Sequence, residues 1–332
     1  MQMRRRRFLT VLAGAAAGGS NKVGAQQHAS SLRRIGALWS LSETNPDMQA
    51  RLTQFNQGLV RLGWLEGKNI HLDGRFAAGE TDRFESLAKA LVASKPEAIV
   101  AQSTPVALAL FRETRSIPIV FVSVSDPIGS GLVASLSRPG GNVTGVLLYE
   151  EGITGKWLAM LKEVAPKLAR VAIAANPKTT PFEYFLQAAK PPAAALSIDI
   201  IPMPVETAAD IERSIQDFAA KPNGGLVLPP DSTNILHRDL LIALAARHRL
   251  PSVYGYRSFT EAGGLMSYST DVPQQNRLVA SLIDRILHGT APADLPVEAP
   301  TKYETAINIK AAKALGLEIP SASLARVDDV IE

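Results

Sequence analysis

The chain has 332 residues, 35 lysines and arginines against 31 acidic residues, five histidines and no cysteine. That length exceeds one core of typical size, so two domains are the expectation; without cysteine there are no disulfides, thiolate nucleophiles or cysteine metal ligands. The formal charge of +4 sits at the front of the chain: residues 1–25 hold five basic residues and no acid, and the remainder carries 30 basic against 31 acidic residues. A nucleic-acid reader would keep a basic face after processing, and no such cluster remains.

The first stretch carries a basic run, Arg4 to Arg7, a modest apolar segment from Phe8 to Ala17, and small residues leading to Val23-Gly24-Ala25. This is the order of a secretory signal cleaved near Ala25. Arg5-Arg6-Arg7-Phe8-Leu9 also fits the twin-arginine address. The apolar run falls short of the roughly 20 residues needed to span a membrane. The expectation is an exported, periplasmic protein with no membrane insertion of its own.

Further along, short aliphatic runs bounded by turn residues predict buried parallel strands at 34–39, 98–102, 117–124, 170–175, 225–228 and 251–254. Amphipathic stretches of helical length lie between them. One covers 80–96, with Phe84, Leu87, Leu91 and Val92 on a single face. Such alternation predicts an α/β fold with parallel sheets. The pattern also occurs twice. Residues 80–103 read helix, Lys95-Pro96, strand, polar turn; residues 207–231 read helix, Lys221-Pro222, strand, polar turn. Arg34-Ile35-Gly36-Ala37-Leu38 upstream is echoed by Arg170-Val171-Ala172-Ile173-Ala174. The repeat implies two similarly built lobes with a cleft between them, and ligands of open α/β sheets bind beyond the carboxyl ends of the strands.

Hydroxyls, amides, aromatics and a few carboxylates gather immediately after the strands. Ser40 comes after the first strand, Ser103-Thr104-Pro105 after the second, Ser125-Asp126-Pro127 after the third, Asn176-Pro177 after the fourth and Pro230-Asp231-Ser232 after the fifth. Tyr254-Gly255-Tyr256-Arg257 and Ser267-Tyr268-Ser269-Thr270-Asp271 come later. Thr104-Pro105 reads as a helix start whose free N–H groups suit a carboxylate. Asp126, Asp231 and Asp271 could meet an amino group, Arg257 a carboxylate, and the tyrosines an apolar or aromatic body. The same residue types cap helices and close turns, so each also has a purely structural reading. No phosphate loop, dinucleotide fingerprint or nucleophile elbow is present. The closest histidines, His237 and His248, lack metal-ligand spacing. No cofactor, metal or catalytic group is therefore expected.

Several segments are distinctive: Arg33-Arg34-Ile35-Gly36, and the runs 117–146, 153–173, 250–268 and 300–320. Over nearly its whole length the chain resembles the ABC-type substrate-binding proteins, whose relatives include tryptophan/tyrosine-type binders. That resemblance implies a type I periplasmic-binding fold of two Rossmann-like lobes joined by several crossings. It places the first lobe at 31–147 plus about 272–300, and the second at 148–271 plus about 301–332. It also implies a monomer that serves a partner permease and a cytoplasmic ATPase. The pocket it implies includes Ser40, Thr104, Ser125, Asp126, Asp231 and Asp271; Tyr149 and Tyr254 join on position, as the residues ending two aliphatic runs. Loop 41–47 and segment 147–151 depart from the aromatic-amino-acid binders, so the implied ligand class is a carboxylate-bearing small molecule, amino-acid-like or aromatic. A periplasmic sensor module and a secreted α/β enzyme are the alternative readings.

Overall fold

The computed structural model describes residues 32–150 and 152–332. The expected signal segment, 1–25, lies outside the described residues. None of the described helices is long and apolar enough to cross a membrane.

The first lobe is built from β1 (Arg33–Trp39), α1 (Pro46–Arg61), β2 (Ile70–Phe76), α2 (Arg83–Ala93), β3 (Ala98–Gln102), α3 (Thr104–Glu113), β4 (Ile119–Val124) and β5 (Val143–Leu147). The second continues with α4 (Ile153–Val164), β6 (Arg170–Ala175), α5 (Phe182–Ala195), β7 (Asp199–Pro204), α6 (Ala208–Ala219) and β8 (Gly224–Leu228). It then adds α7 (Ser232–Leu236), α8 (Arg238–Arg247), β9 (Ser252–Tyr254), α9 (Arg257–Glu261) and β10 (Met266–Thr270). The chain next crosses back as α10 (Val272–Leu287), which packs along α1 and over β3, β4 and β5. After a stretch paired beside β5 through Glu298, it returns as β11 (Tyr303–Asn308), α11 (Ile309–Leu315), α12 (Ser321–Leu324) and β12 (Asp329–Ile331).

The strand orders are β2-β1-β3-β4-β5 and β12-β11-β10-β9-β8-β6-β7. The internal echo in the sequence is therefore a real duplication of topology: β2-β1-β3-β4 in one lobe matches β7-β6-β8-β9 in the other. The first sheet is wholly parallel. The second is parallel from β7 to β10, while β11 runs antiparallel to β10 and β12 runs alongside β11. The crossings explain it. β10 leads out of the second lobe and β11 leads back in beside it, so the two run in opposite directions.

Strands β3, β4, β5 and β8 are buried along their whole length. They lie between helical layers, which is why they read as unbroken aliphatic runs rather than alternating ones. β2 and β7 are partly exposed edge strands, β2 interrupted by polar residues and β7 by prolines, and gave no such signal. The register of β4 against β5 shifts between Phe121 and Val124, with Ser123 at φ 59°. Such a bulge re-aims the strand end beyond it, here the segment Ser123–Ser125 at the mouth of the sheet. The bulge needs close backbone approach: a Cβ on Gly145 would lie 2.3 Å from the Phe121 carbonyl oxygen. Gly145→Ala is accordingly expected to cost about 2–4 kcal/mol, read as a lower urea midpoint with an unchanged slope.

Candidate functional site

The carboxyl ends of the parallel strands in the two sheets point at each other, and the residues just beyond them meet. Ser40, after β1, donates its backbone N–H (3.1 Å) and its hydroxyl (2.6 Å) to Gln102 Oε1 at the end of β3. The same Ser40 hydroxyl lies 2.7 Å from Ser232 Oγ of the second lobe. All three side chains are buried. This contact closes the cleft between the lobes at its centre.

On the first-lobe wall, Ser103 and Thr104 begin α3 and Ser125 comes after β4; none of their buried hydroxyls has a hydrogen-bond partner among the described residues. Ser103 holds φ 91° and ψ 156°, a region nearly reserved for glycine and costing of order 1–3 kcal/mol. The start of α3 has no side-chain cap, which leaves its first N–H groups for another acceptor. Arg51 of α1 reaches the same wall. Its guanidinium donates to Ser123 Oγ at 3.2 Å and stacks 5.1 Å from the centre of the Tyr256 ring. It is 3 % exposed and its Nε has no partner. No acidic side chain forms an ion pair with it among the described residues. A charge so buried is retained only at a cost unless something pairs it.

The second-lobe wall carries the opposite charge. Asp231 caps α7, accepting the Asn234 N–H at 2.9 Å, the Asn176 N–H at 3.2 Å and the Thr179 hydroxyl at 2.6 Å. It too is 3 % exposed and has no basic partner among the described residues. Burial pushes its carboxyl up to about 6, against the opposing pull of those hydrogen bonds. Asn176 Nδ2 in turn donates to Thr233 Oγ1 at 3.0 Å, and Asn234 is anchored on the Ala174 and Pro229 carbonyls with its Oδ1 unpartnered. Tyr256, after β9, stands where both charges act. Burial raises its phenol, Arg51 pulls it down, and Asp47 and then Asp231 add to the rise.

The eight expected residues divide. Ser40 and Asp231 sit at the interlobe contact and wall, and Thr104 and Ser125 lie on the facing wall. Tyr149 is buried edge-on to Trp157 and Phe185, with ring centres at 5.6 and 6.3 Å, and its hydroxyl has no partner. Burial and the nearby Tyr256 raise that phenol while Arg51 lowers it, which puts its polar end toward the same cluster. The other three are used differently. Asp126 is half-buried and accepts the Gly129 N–H at 2.7 Å to close a turn, and it lines a groove of about 950 Å³ together with Thr180 and Phe182 of the second lobe. Asp271 caps α10 through the Gln274 N–H at 2.8 Å and lies 3.5 Å from Lys302 Nζ, on a groove of about 580 Å³ that Arg51 and Tyr256 also line. Tyr254 turns its hydroxyl to Ser252 at 2.9 Å and stacks on Phe259 at 4.9 Å. It is core, away from the cleft. Arg257, offered as a carboxylate partner, instead pairs with Glu261, Glu304 and Asp329.

Arg51 is the residue that strand-end reasoning missed, because it sits on a helix. A signal existed: it falls between Met48 and Phe55 on the buried face of α1, a charge at a position that the helical period assigns to the core. No cluster of three or more metal-ligating side chains occurs among the described residues.

The family model for the ABC transporter substrate binding protein matches residues 35–331. The chain belongs to that family. A curated relative of this substrate-binding protein, the tyrosine-binding protein of Clostridioides difficile (strain R20291), is 26 % identical over 278 residues, covering 84 % of this chain and 80 % of the relative. Among solved structures, an ABC domain in complex with L-Trp from Streptococcus pneumonia overlays with a TM-score of 0.84 at 24 % identity, covering 91 % of this chain and 100 % of that one. The ligand-free, open structure of a substrate-binding protein with adhesive properties from Clostridium difficile overlays at 0.66 with 26 % identity, covering 90 % and 99 %. Two-lobed solute-binding proteins of sugar-type transporters share the fold at lower identity.

The raised Asp231 carboxyl fixes a pH dependence in the ligand-free protein. Its folded value lies above the ordinary value of 3.8, so its stabilising contribution is complete below about pH 3.8 and is lost as pH rises through about 6. Urea unfolding of the wild type and Asp231→Asn from pH 4 to 7 should show the wild type losing up to about 3 kcal/mol relative to the variant.

Proposed function

We propose that this substrate-binding protein captures an amino acid, best an aromatic one, as the exported receptor of an ABC importer. The observation that carries the ligand class is the pair of buried, oppositely charged groups with no protein counter-ion among the described residues. Arg51 stands on one wall and Asp231 on the other, and both act on the Tyr256 phenol. A zwitterion satisfies both at once, its carboxylate meeting Arg51 and the free N–H groups of α3 and its ammonium meeting Asp231. A sugar or nucleoside would bring hydroxyls to the hydroxyl-lined wall and leave two desolvated charges unmatched. The tyrosine and tryptophan named for the two relatives are ligands of this kind. Tyr149 and Tyr256 supply aromatic faces beside the charged groups.

The cleft works by closure. Overlay on the tryptophan complex is better than on the open ligand-free structure, and Ser40 touches Ser232 across the lobes, both of which support a closed arrangement here. The moving bodies are residues 31–147 with about 272–300, and 148–271 with about 301–332, turning at the three crossings. Ligand bridging both walls stabilises the closed form by its differential affinity for it. That form then presents the solute to a permease driven by a cytoplasmic ATPase. Export through the signal at 1–25 puts the receptor in the periplasm, where it binds and releases its solute unchanged and catalyses nothing.

A thermal-shift screen of the protein from Gln26 against the twenty amino acids, sugars and nucleosides tests this. Aromatic amino acids should give the largest rise, about 2.7 kcal/mol of stabilisation at a hundredfold excess over Kd. A shift confined to sugars or nucleosides would overturn the reading. Affinity should also fall as pH drops from 7 to 5, since protonating Asp231 removes the partner of the ammonium; calorimetry across that range reads it. Arg51→Met separates binding from stability. The variant should be at least as stable as the wild type without ligand, because a buried unpaired charge is gone. It should bind L-tyrosine about 30- to 100-fold more weakly.

A further inference from the structure

The closed cleft contains a polar chain whose direction is determined by chemistry. The Ser40 backbone N–H is a donor and nothing else, so the Gln102 side-chain atom it meets at 3.1 Å is the carbonyl oxygen, Oε1. That oxygen accepts a second time, from the Ser40 hydroxyl at 2.6 Å. A serine hydroxyl has one hydrogen, and Ser40 has now used it. At the 2.7 Å contact with Ser232 it can therefore only accept, and Ser232 donates. The relay runs from Ser232 in the second lobe, through Ser40, to Gln102 in the first.

The relay fixes the other end of the carboxamide. Gln102 Nε2 carries two N–H donors, makes no hydrogen bond among the described residues, and belongs to a side chain only 3 % exposed. Side chains alternate along a strand. Gln102 thus continues the face of Ala98 and Val100, which share a core with Met48 and Phe55 of α1, the helix that carries Arg51. Two donors of the first lobe have no acceptor among the described residues: Arg51 Nε, which is enclosed, and Gln102 Nε2, whose carboxamide bonds only through its oxygen. The natural acceptor for an unpaired guanidinium and a carboxamide N–H pair is an anionic oxygen pair.

We propose that Gln102 selects a ligand carboxylate, and that lobe closure sets this selection by locking the Gln102 carboxamide through Ser232 and Ser40. In the open state Ser232 is withdrawn, Ser40 is free to rotate, and the carboxamide loses the second of its two restraints. Discrimination between an acid and its amide is then a property of the closed state, and Ser232 acts as a positioning residue without touching the ligand itself. The proposal rests on the amino-acid reading of the cleft.

The test compares L-tyrosine with L-tyrosinamide by calorimetry at pH 8 for the wild type, Gln102→Glu and Ser232→Ala. The wild type should prefer the acid. Gln102→Glu keeps both bonds from Ser40 but replaces the donor pair by an anionic oxygen. It should lose about 100-fold or more for L-tyrosine and much less for the amide, reversing the preference. Ser232→Ala should lose about 5- to 20-fold for L-tyrosine and narrow the acid-to-amide ratio. A variant that merely loosened the fold would weaken both ligands alike, and equal losses would overturn the proposal. Binding of neither compound by the wild type would contradict the aromatic-amino-acid reading instead. The relay is judged in the closed form, with L-tyrosine or, failing that, the tightest ligand of the thermal-shift screen bound, from the Gln102 side-chain amide resonance, assigned by its loss in Gln102→Glu. A marked shift in Ser232→Ala supports the relay, and an unchanged resonance overturns it.

Discussion

Two unpaired charges removed from water set the terms for everything else in this protein. Arg51 and Asp231 are each 3 % exposed, and each faces a cleft that offers it hydroxyls, amides and a phenol but no counter-ion among the described residues. A buried polar group without its partner costs about 1–3 kcal/mol, and a charge more. Ser103, Thr104, Ser125 and Tyr149 add unpartnered hydroxyls to the same region. Against a domain stability of about 5–15 kcal/mol, such a load is tolerable only in a surface built to be completed by something else. The neutral contact between Ser40 and Ser232, worth about 0.5–1.5 kcal/mol, cannot by itself hold the lobes shut over that deficit. On the proposed reading, a ligand that pairs both charges supplies the missing free energy on closing. Closure and recognition are then one event.

The topology makes this arrangement repeatable. Each lobe places its first strand between the next two, in the orders β2-β1-β3 and β7-β6-β8. Every parallel strand therefore delivers the loop after it to the same edge of its sheet. When two such sheets are joined by crossings at one side, those edges oppose each other. The antiparallel β11 belongs to this economy as well: it is the return leg of a crossing, paired with the outgoing one, and it ties the hinge into the second sheet.

Much of this is legible in the residues. Buried strands announce themselves as aliphatic runs, and the repeated order of strand, helix and Lys-Pro turn marks two lobes. Placing polar residues at strand ends pointed to Ser40, Thr104, Ser125 and Asp231, which the structure sets where the two lobes face each other. The same rule cannot tell a ligand contact from local structure at Asp126 and Asp271, because an aspartate after a strand does the same local work whether or not a ligand is near: it closes the turn to Gly129 in one case and caps α10 in the other. Asp231 also caps a helix, and only its burial and its lack of a basic partner distinguish it. Tyr254 is placed by packing. At the end of β9 its ring is taken by Phe259 and its hydroxyl by Ser252, two residues back on its own strand, and no pattern in the sequence specifies that rotamer. Arg51 was legible in principle as an arginine where α1 should present an apolar side chain. The pairing of Ser40 with Ser232, 192 residues apart, was not legible, since it depends on how far the lobes have closed.

The central claim is that the cleft recognises both poles of an amino acid at once. Equilibrium binding of L-tyrosine should be set against tyramine, which lacks the carboxylate, and 3-(4-hydroxyphenyl)propionate, which lacks the amine. Each analogue is expected to bind at least about 100-fold more weakly than L-tyrosine, a loss of about 2.7 kcal/mol for either pole. An analogue that bound as tightly as the amino acid would show that one of the two buried charges has no part in recognition, and would contradict the claim.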